Sequence, residues 1–551
     1  MEAHRSKLVR LGACGPRVCD PLQHPGKPPF SGLFLRRARI VVAADHRPAV
    51  RRALSCQRWV ARRGAASYVG VCLMMNRFPV SFRAGLFGLL AFGGAVVSAQ
   101  SASKPNLIYI LADDLGIADF GCYGGKIIKT PRVDRMAREG MRFTEHYSGS
   151  TVCAPTRCVL MTGKHTGHAR IRGNSAPDLK PEDVTVAEVL KGAGYATGII
   201  GKWGLGEAGS TGVPNKQGFD FWYGYLNQRN AHHYYPPFLW RNETKELFPG
   251  NPKLRTHYSH DLFTKEALKF IDGNRKRPFF LYVAYTLSHV DLDVPKDSKA
   301  PYVGKLGKEK PYGKPGGQHY RHEKQPRATF AGMTSRLDRD VGRILDFLKK
   351  LGLAENTLVV FSSDNGPTPA GGADPKFFDG NGIYRGIKRD LYEGGIRAPM
   401  IAWWPGRIAA GSTTKHISAH WDVLPTFAEL AGLKSPTGID GISFAPTLLG
   451  KGGKQKRHDH LYWEFYEQGG KQAVRQGDWK AVRTGLMKRP DAPIELYNLS
   501  VDPGEAKNVA AANPGVVKRM AAIIRNASTP DPNYSFKPKP KNNGKAKRKK
   551  R

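Results

Sequence analysis

Asn106–Asp114 reads NLIYILADD, an almost wholly apolar run closed by two adjacent aspartates. An apolar run without alternation is what a strand covered on both faces requires, and this one is too short for a buried helix. Three further runs repeat the design. Thr197–Ile200 leads into Gly201-Lys202-Trp203, Phe279–Tyr285 (FFLYVAY) is followed by His289, and Thr357–Ser363 (TLVVFSS) ends at Asp364-Asn365-Gly366. Helical segments separate them. Thr185–Ala193 stops at Gly194, and Phe330–Leu351 sets Phe330, Met333, Leu337, Val341, Ile344 and Leu348 on one stripe before Gly352. Strands alternating with helices predict an α/β fold, a doubly wound and mostly parallel sheet flanked by helices. Ligands of such sheets bind beyond the carboxyl ends of the strands, which is where these polar residues fall.

Outward from these runs, the chain of 551 residues carries a net charge of +40, which invites a polyanion-binding reading. The charge is concentrated at the ends. Residues 1–99 hold 16 basic and 3 acidic residues, and 535–551 hold nine basic and no acidic ones, so 100–534 keeps +18. From Met75 the sequence reads MNRFPVSFRAGLFGLLAFGGAVVSAQ, with Arg77 and Arg83 ahead of an apolar stretch and Val97-Ser98-Ala99 as a cleavage site. This predicts a signal peptide over 75–99 and export to a periplasmic, secreted or lumenal compartment. Such a signal leads its chain, so 1–74 reads as a non-native upstream extension. The apolar stretch is too short and glycine-rich for a stable membrane anchor. Without residues 1–99, Cys122, Cys153 and Cys158 remain, which is neither a disulfide framework nor a zinc spacing.

The rest divides by texture. Residues 100–439 form the expected catalytic domain. Leu461–Tyr466, Lys471–Arg475, Trp479–Arg483 and Ile494–Asn498 are short strand-like runs, and Val516–Arg525 reads as a helix. They predict a smaller antiparallel sheet plus helix over 440–530, followed by a basic disordered tail over 531–551. Segment 296–327, with nine basic and three acidic residues among Gly, Pro and Tyr, reads as a long surface insertion near the mouth of the site.

Asp113, Asp114, Asp364 and Asn365 offer only hard oxygen ligands, which favours Ca²⁺ or Mg²⁺ over zinc. In Thr151–Gly163 (TVCAPTRCVLMTG), Pro155 suits the first turn of a helix that Arg157–Met161 continues, so Cys153 falls at a helix N-terminus facing Arg157. The residues alone admit a low-pKa thiolate nucleophile or a buried structural cysteine.

Cys153-Ala154-Pro155-Thr156-Arg157, followed by Leu160-Met161-Thr162-Gly163, resembles the signature of the type I, formylglycine-dependent sulfatases of the alkaline-phosphatase-like superfamily. Four further segments resemble the same family in order: Asn106–Asp114, Gly201-Lys202-Trp203, Ser363-Asp364-Asn365-Gly366, and Lys388–Arg397 (KRDLYEGGIR). The resemblance implies that a maturation enzyme oxidises Cys153 to Cα-formylglycine, whose hydrate attacks a sulfate ester. It also implies a Ca²⁺ or Mg²⁺ held by Asp113, Asp114, Asp364, Asn365 and the residue-153 oxygen. Arg157 then holds the hydrate and the metal-site charge, Lys202 and Lys388 bind sulfate oxygens, and His289 binds sulfate or protonates the leaving oxygen. Details around Thr166–Asn174 and Asn215–Tyr235 resemble the arylsulfatase A and N-acetylgalactosamine-6-sulfatase branches, which implies a sulfated carbohydrate or aryl sulfate substrate.

One departure stands out. The family usually reads Gly-Lys-Trp-His-Leu-Gly, and this chain has Gly204 where the histidine stands. His232, His233, His165 and His168 are the candidates to replace it. Two other functions remain open: a phosphate or phosphonate monoester hydrolase of the same superfamily, and a non-catalytic polyanion-binding protein. The charge distribution argues against nucleic acid, because the middle of the chain is only moderately basic.

Overall fold

In the computed structural model, residues 104–174, 177–316 and 320–536 are described. The expected upstream extension, the signal peptide and residues 537–551 of the tail lie outside them. A mixed ten-stranded sheet organises the chain. Its order is Ser412–Thr414, Met141–Phe143, Met400–Trp403, Thr357–Ser363, Asn106–Ala112, Phe279–Ala284, Ala196–Lys202, Phe221–Tyr225, Phe238–Arg241 and Thr244–Leu247. The five strands from Thr357–Ser363 to Phe221–Tyr225 run parallel. Antiparallel pairs flank that block on both sides.

The unbroken apolar strands follow from two separate cores. Leu107, Tyr109 and Leu111 pack toward helices Cys153–Thr162, Val186–Gly192 and Val423–Leu430. Ile108 and Ile110 face the opposite core, with helices Pro131–Glu139, Ser259–Gly273 and Pro326–Lys350. Every residue of Asn106–Ala112 is therefore buried, and a polar residue on either face would be stranded. Thr185 caps its helix through a reciprocal capping box with Glu188. The long helix starts one turn before Phe330, at Pro326, and ends at Lys350 ahead of Gly352 with φ 69°.

The C-terminal strands form an antiparallel meander of Leu461–Phe465, Lys471–Gln476, Trp479–Thr484 and Glu495–Asn498. Tyr462, Val474, Ala481 and Leu496 pack on Met520 and Ile524 of helix Pro514–Asn526. The alternate residues Trp463, Phe465, Ala473 and Val482 join the core of the large sheet. Lys480 Nζ, fully buried, lies 2.8 Å from Glu393 Oε1 and ties the small sheet to the segment carrying Lys388. The two sections expected on either side of 440 thus share one core.

Part of the stretch expected as tail is anchored to the fold. Within residues 531–536, Tyr534 Oη accepts the Arg172 N–H at 3.0 Å, and Phe536 stacks on Tyr466 at 4.3 Å. Two aromatic anchors inside a basic stretch outweigh its polar composition. Among the described residues, no helix is long and apolar enough to cross a membrane.

Candidate active site

The carboxyl ends of the parallel strands deliver the expected side chains to one buried cluster. Asp113 and Asp114 follow Ala112, Lys202 ends its strand, and Asp364 and Asn365 follow Ser363. Asp114 adopts φ 62°, a left-handed conformation that is uncommon outside glycine. Its N–H donates to Asp364 Oδ1 at 3.0 Å, and its carboxylate receives Lys388 Nζ at 2.5 and 2.7 Å. Lys388 comes from a segment 274 residues away, and its N–H donates to the Pro367 carbonyl at 3.0 Å.

Cys153 is the first residue of helix Cys153–Thr162, all ten residues of which are buried, and Gly163 closes it at φ 68°. Its Sγ lies 3.5 Å from Asp113 Oδ1 and 3.5 Å from Lys388 Nζ. Burial, and then the Asp113 charge, push the thiol up to about 12. That direction runs against the low-pKa thiolate reading. The helix N-terminus and two lysines do not offset a dry site containing three carboxyl groups.

Arg157, one turn along the helix, is completely buried. Its Nη2 reaches Asp113 Oδ2 at 3.2 Å and Asp364 Oδ2 at 3.3 Å, and its Nη1 donates to the Lys202 carbonyl at 2.8 Å. Lys202 Nζ donates to Asp113 Oδ2 at 2.6 Å. Burial alone would raise Asp113, but the Lys202 and Arg157 cations hold its carboxyl well below the usual range. Burial and the neighbouring Asp113 push Asp364 up to about 7. Adjacent carboxyl groups driven apart in this way are characteristic of functional sites.

His289 Nδ1 lies 3.0 Å from the Val290 carbonyl, a contact that places the ring proton on Nδ1. Its Nε2 then turns a lone pair toward Asp114 Oδ2 at 3.3 Å. Burial pushes His289 down to about 4 against the pull of Asp114, so the ring is neutral near pH 7. Two lone pairs facing each other call for a cation or proton between them. Asn365 adds a second open acceptor: its Nδ2 donates to Asp114 Oδ1 at 2.8 Å and to the Gly366 carbonyl at 2.9 Å, while its buried Oδ1 has no partner. Asp113, Asp114, Cys153 and His289 each present a ligand atom within 4.8 Å of the others. The oxygen donors among them, together with Asp364 and Asn365, fit a hard divalent cation.

Gly204 has φ 81°, and a Cβ there would meet Gln228 Nε2 at 2.1 Å. The Gln228 carboxamide fills the space of the missing side chain, with both amide atoms buried and unpartnered. Of the histidines weighed as replacements, His232 adjoins the site, stacked on His289 at 4.9 Å. His233 lies 3.4 Å from Asp291, and His168 lies 2.9 Å from Asp440, with His165 beside it. The insertion over 296–327 does reach the site, because Tyr320 meets His232 edge-on at 5.7 Å. Gln228 and Glu467 had no signature in the sequence, while Arg389 and Asn174 lie in segments already quoted without being singled out; only their convergence in space marks the four.

The family described as Sulfatase matches residues 105–433, and the N-sulphoglucosamine sulphohydrolase C-terminal family matches 382–527. The chain is 30% identical to an N-acetylgalactosamine-6-O-sulfatase of Bacteroides thetaiotaomicron, over 78% of this chain and 94% of that protein. It is 32% identical to arylsulfatase A of Homo sapiens, over 79% of this chain and 89% of the relative. The solved structure of Ps i-CgsB superposes with a TM-score of 0.66 at 29% identity, covering 79% of this chain and 95% of that one. A phosphonate monoester hydrolase of Agrobacterium radiobacter shares the fold, with a TM-score of 0.55 at 20% identity over 77% and 95% of the two chains.

Proposed function

This chain belongs to the sulfatase family, and from that premise we propose that it hydrolyses sulfate esters of sugars, or aryl sulfates, to the alcohol and inorganic sulfate. The observation that carries the reading is Cys153 at a buried helix N-terminus, 3.5 Å from both Asp113 and Lys388. Converted to Cα-formylglycine by a maturation enzyme, residue 153 supplies a hydrated aldehyde as the oxygen nucleophile. Asp113, Asp114, Asp364 and Asn365 would hold Ca²⁺, or Mg²⁺, which supplies Lewis acidity toward the sulfate.

The chain's own residues do the rest. Arg157 holds the Asp113 and Asp364 carboxylates in place and offsets their charge. The Lys202 and Lys388 ammonium groups, already within hydrogen-bond distance of the aspartates, donate to sulfate oxygens as charge develops on them. His289, held through Nδ1, can take up at Nε2 the proton that the hydrate hydroxyl loses and pass it to the leaving oxygen. Burial of all these groups excludes water, which strengthens each interaction. Residues 100–439 are assigned as the catalytic domain, 440–530 as the subdomain packed on it, and 75–99 as the signal for export.

The intact mass of the residue-153 peptide from protein made in a host with the maturation enzyme tells aldehyde from thiol. Cys153→Ala should abolish hydrolysis of 4-nitrophenyl sulfate. Retained activity would overturn the reading, and turnover of 4-nitrophenyl phosphate in preference to the sulfate would favour the phosphate or phosphonate hydrolase alternative.

A further inference from the structure

Lys388 is buried with its ammonium on Asp114, whereas the side chain of the next residue, Arg389, is 37% exposed. Arg389 adopts φ 78°, a left-handed conformation costing a residue with a Cβ on the order of 1–3 kcal/mol. Contacts on both sides hold it there. Its N–H donates to the Thr151 carbonyl at 3.0 Å, two residues before Cys153, and Lys471 Nζ donates to its carbonyl at 2.6 Å and to Asp390 Oδ1 at 2.9 Å. A strained backbone pinned beside a nucleophile aims a side chain.

That side chain is unspent. Among the described residues the Arg389 guanidinium makes no hydrogen bond, and its ion-pair partner Glu467 Oε2 stays 3.8 Å from Nε. Glu467 is engaged elsewhere: its Oε1 accepts the Asn174 N–H at 2.8 Å. Asn174 Oδ1 in turn accepts the Ala154 N–H at 3.1 Å, so this rim is built directly onto the Cys153 helix. Tyr320 lies within reach of the same charges. Burial raises its phenol, and Lys388 and Arg389 oppose that rise.

We propose that Arg389 is a specificity-determining residue whose guanidinium binds a second anionic substituent of a polysulfated glycan seated with its scissile ester at residue 153. The inference rests on the sulfatase reading. A planar fork of five donors matches a sulfate bidentately, which a lysine in the same place would not do. The adjacent Glu467 carboxylate keeps the fork from closing on any weakly charged ligand, so one anion too few leaves it unfilled.

The test is calorimetric binding to the full-length chain carrying Cys153→Ala, which does not turn over. The probes are neutral-backbone galactan hexasaccharides with one or two sulfates per disaccharide. Arg389→Gln should weaken the disulfated probe roughly tenfold or more, and the monosulfated probe several times less. Arg389→Lys should recover part of the difference. Glu467→Gln, which keeps an acceptor for Asn174, should preserve or strengthen binding of the disulfated probe. Equal losses on both probes, or an unchanged affinity ratio in Arg389→Gln, would overturn the assignment. Hydrolysis of 4-nitrophenyl sulfate by the unsubstituted enzyme is measured separately, so failure of the sulfatase reading appears there and not in the binding ratio.

Discussion

Replacing Arg157 by methionine isolates the charge balance of the site. The guanidinium is completely buried and bridges Asp113 and Asp364, so Arg157→Met leaves two buried carboxyl groups without their shared partner. Removing one member of a buried pair costs about 3–5 kcal/mol, because the remaining charge is neither solvated nor paired. At about 2.1 cal/mol/K of unfolding entropy per residue, the roughly 430 described residues give about 0.9 kcal/mol/K. The melting temperature in chelator should therefore fall by about 3–6 °C. A divalent cation bound by the same carboxylates would restore positive charge beside them. The stabilisation on adding Ca²⁺ after chelation should then be larger in the variant than in the parent. Differential scanning calorimetry with EDTA, and again with Ca²⁺, reads both quantities. Arg157→Lys should recover only part of the loss, since an ammonium does not span both carboxylates. A variant that melts within about 1 °C of the parent in chelator would refute the reasoning.

Three further outcomes follow from the same geometry. Lys202→Ala and Lys388→Ala should each lower kcat for 4-nitrophenyl sulfate by about 10²–10³, and a loss confined to KM would remove their role in the transition state. Gly204→Ala should destabilise the protein by about 1–3 kcal/mol, because φ is 81° and the new Cβ meets Gln228 Nε2 at 2.1 Å. Shortening Gln228 in the same chain should return part of that loss, and simple additivity in urea denaturation would contradict the steric account. His146 and His420 are held neutral by burial, His420 down to about 3, and His420 Nδ1 accepts the Gly149 N–H ahead of Cys153. Below about pH 6.5 the unfolded chain binds protons these rings refuse, so stability falls as the pH drops, by about 1.4 kcal/mol per unit for each ring. Denaturation at pH 7 and 5 should show a smaller acid loss in His420→Gln, and equal losses would exclude this histidine as a cause.

The legible part of the site was the part that sits at strand ends. Asp113, Asp114, Lys202, Asp364 and Asn365 follow apolar runs whose lack of alternation already says that both faces are covered. A parallel sheet brings such ends to one edge whatever the loops do. Cys153 and Arg157 were legible as one helical turn. The protonation state of Cys153 was not, because it depends on burial and on carboxylates from distant segments. The anchoring within the expected tail was hidden for a similar reason: composition does not register Tyr534 and Phe536, which find Arg172 and Tyr466 only in the folded chain.

By itself, then, the amino-acid sequence determined the fold class, the strand-end residues and the family resemblance, all of which depend on local pattern and order along the chain. Tertiary structure alone decided which cation meets which carboxylate, that Gln228 occupies the space above Gly204, and that Arg389 is turned to the rim. These are matters of volume and charge between segments hundreds of residues apart. Nothing in the neighbours of a residue along the chain reports what will lie 3 Å from it in space.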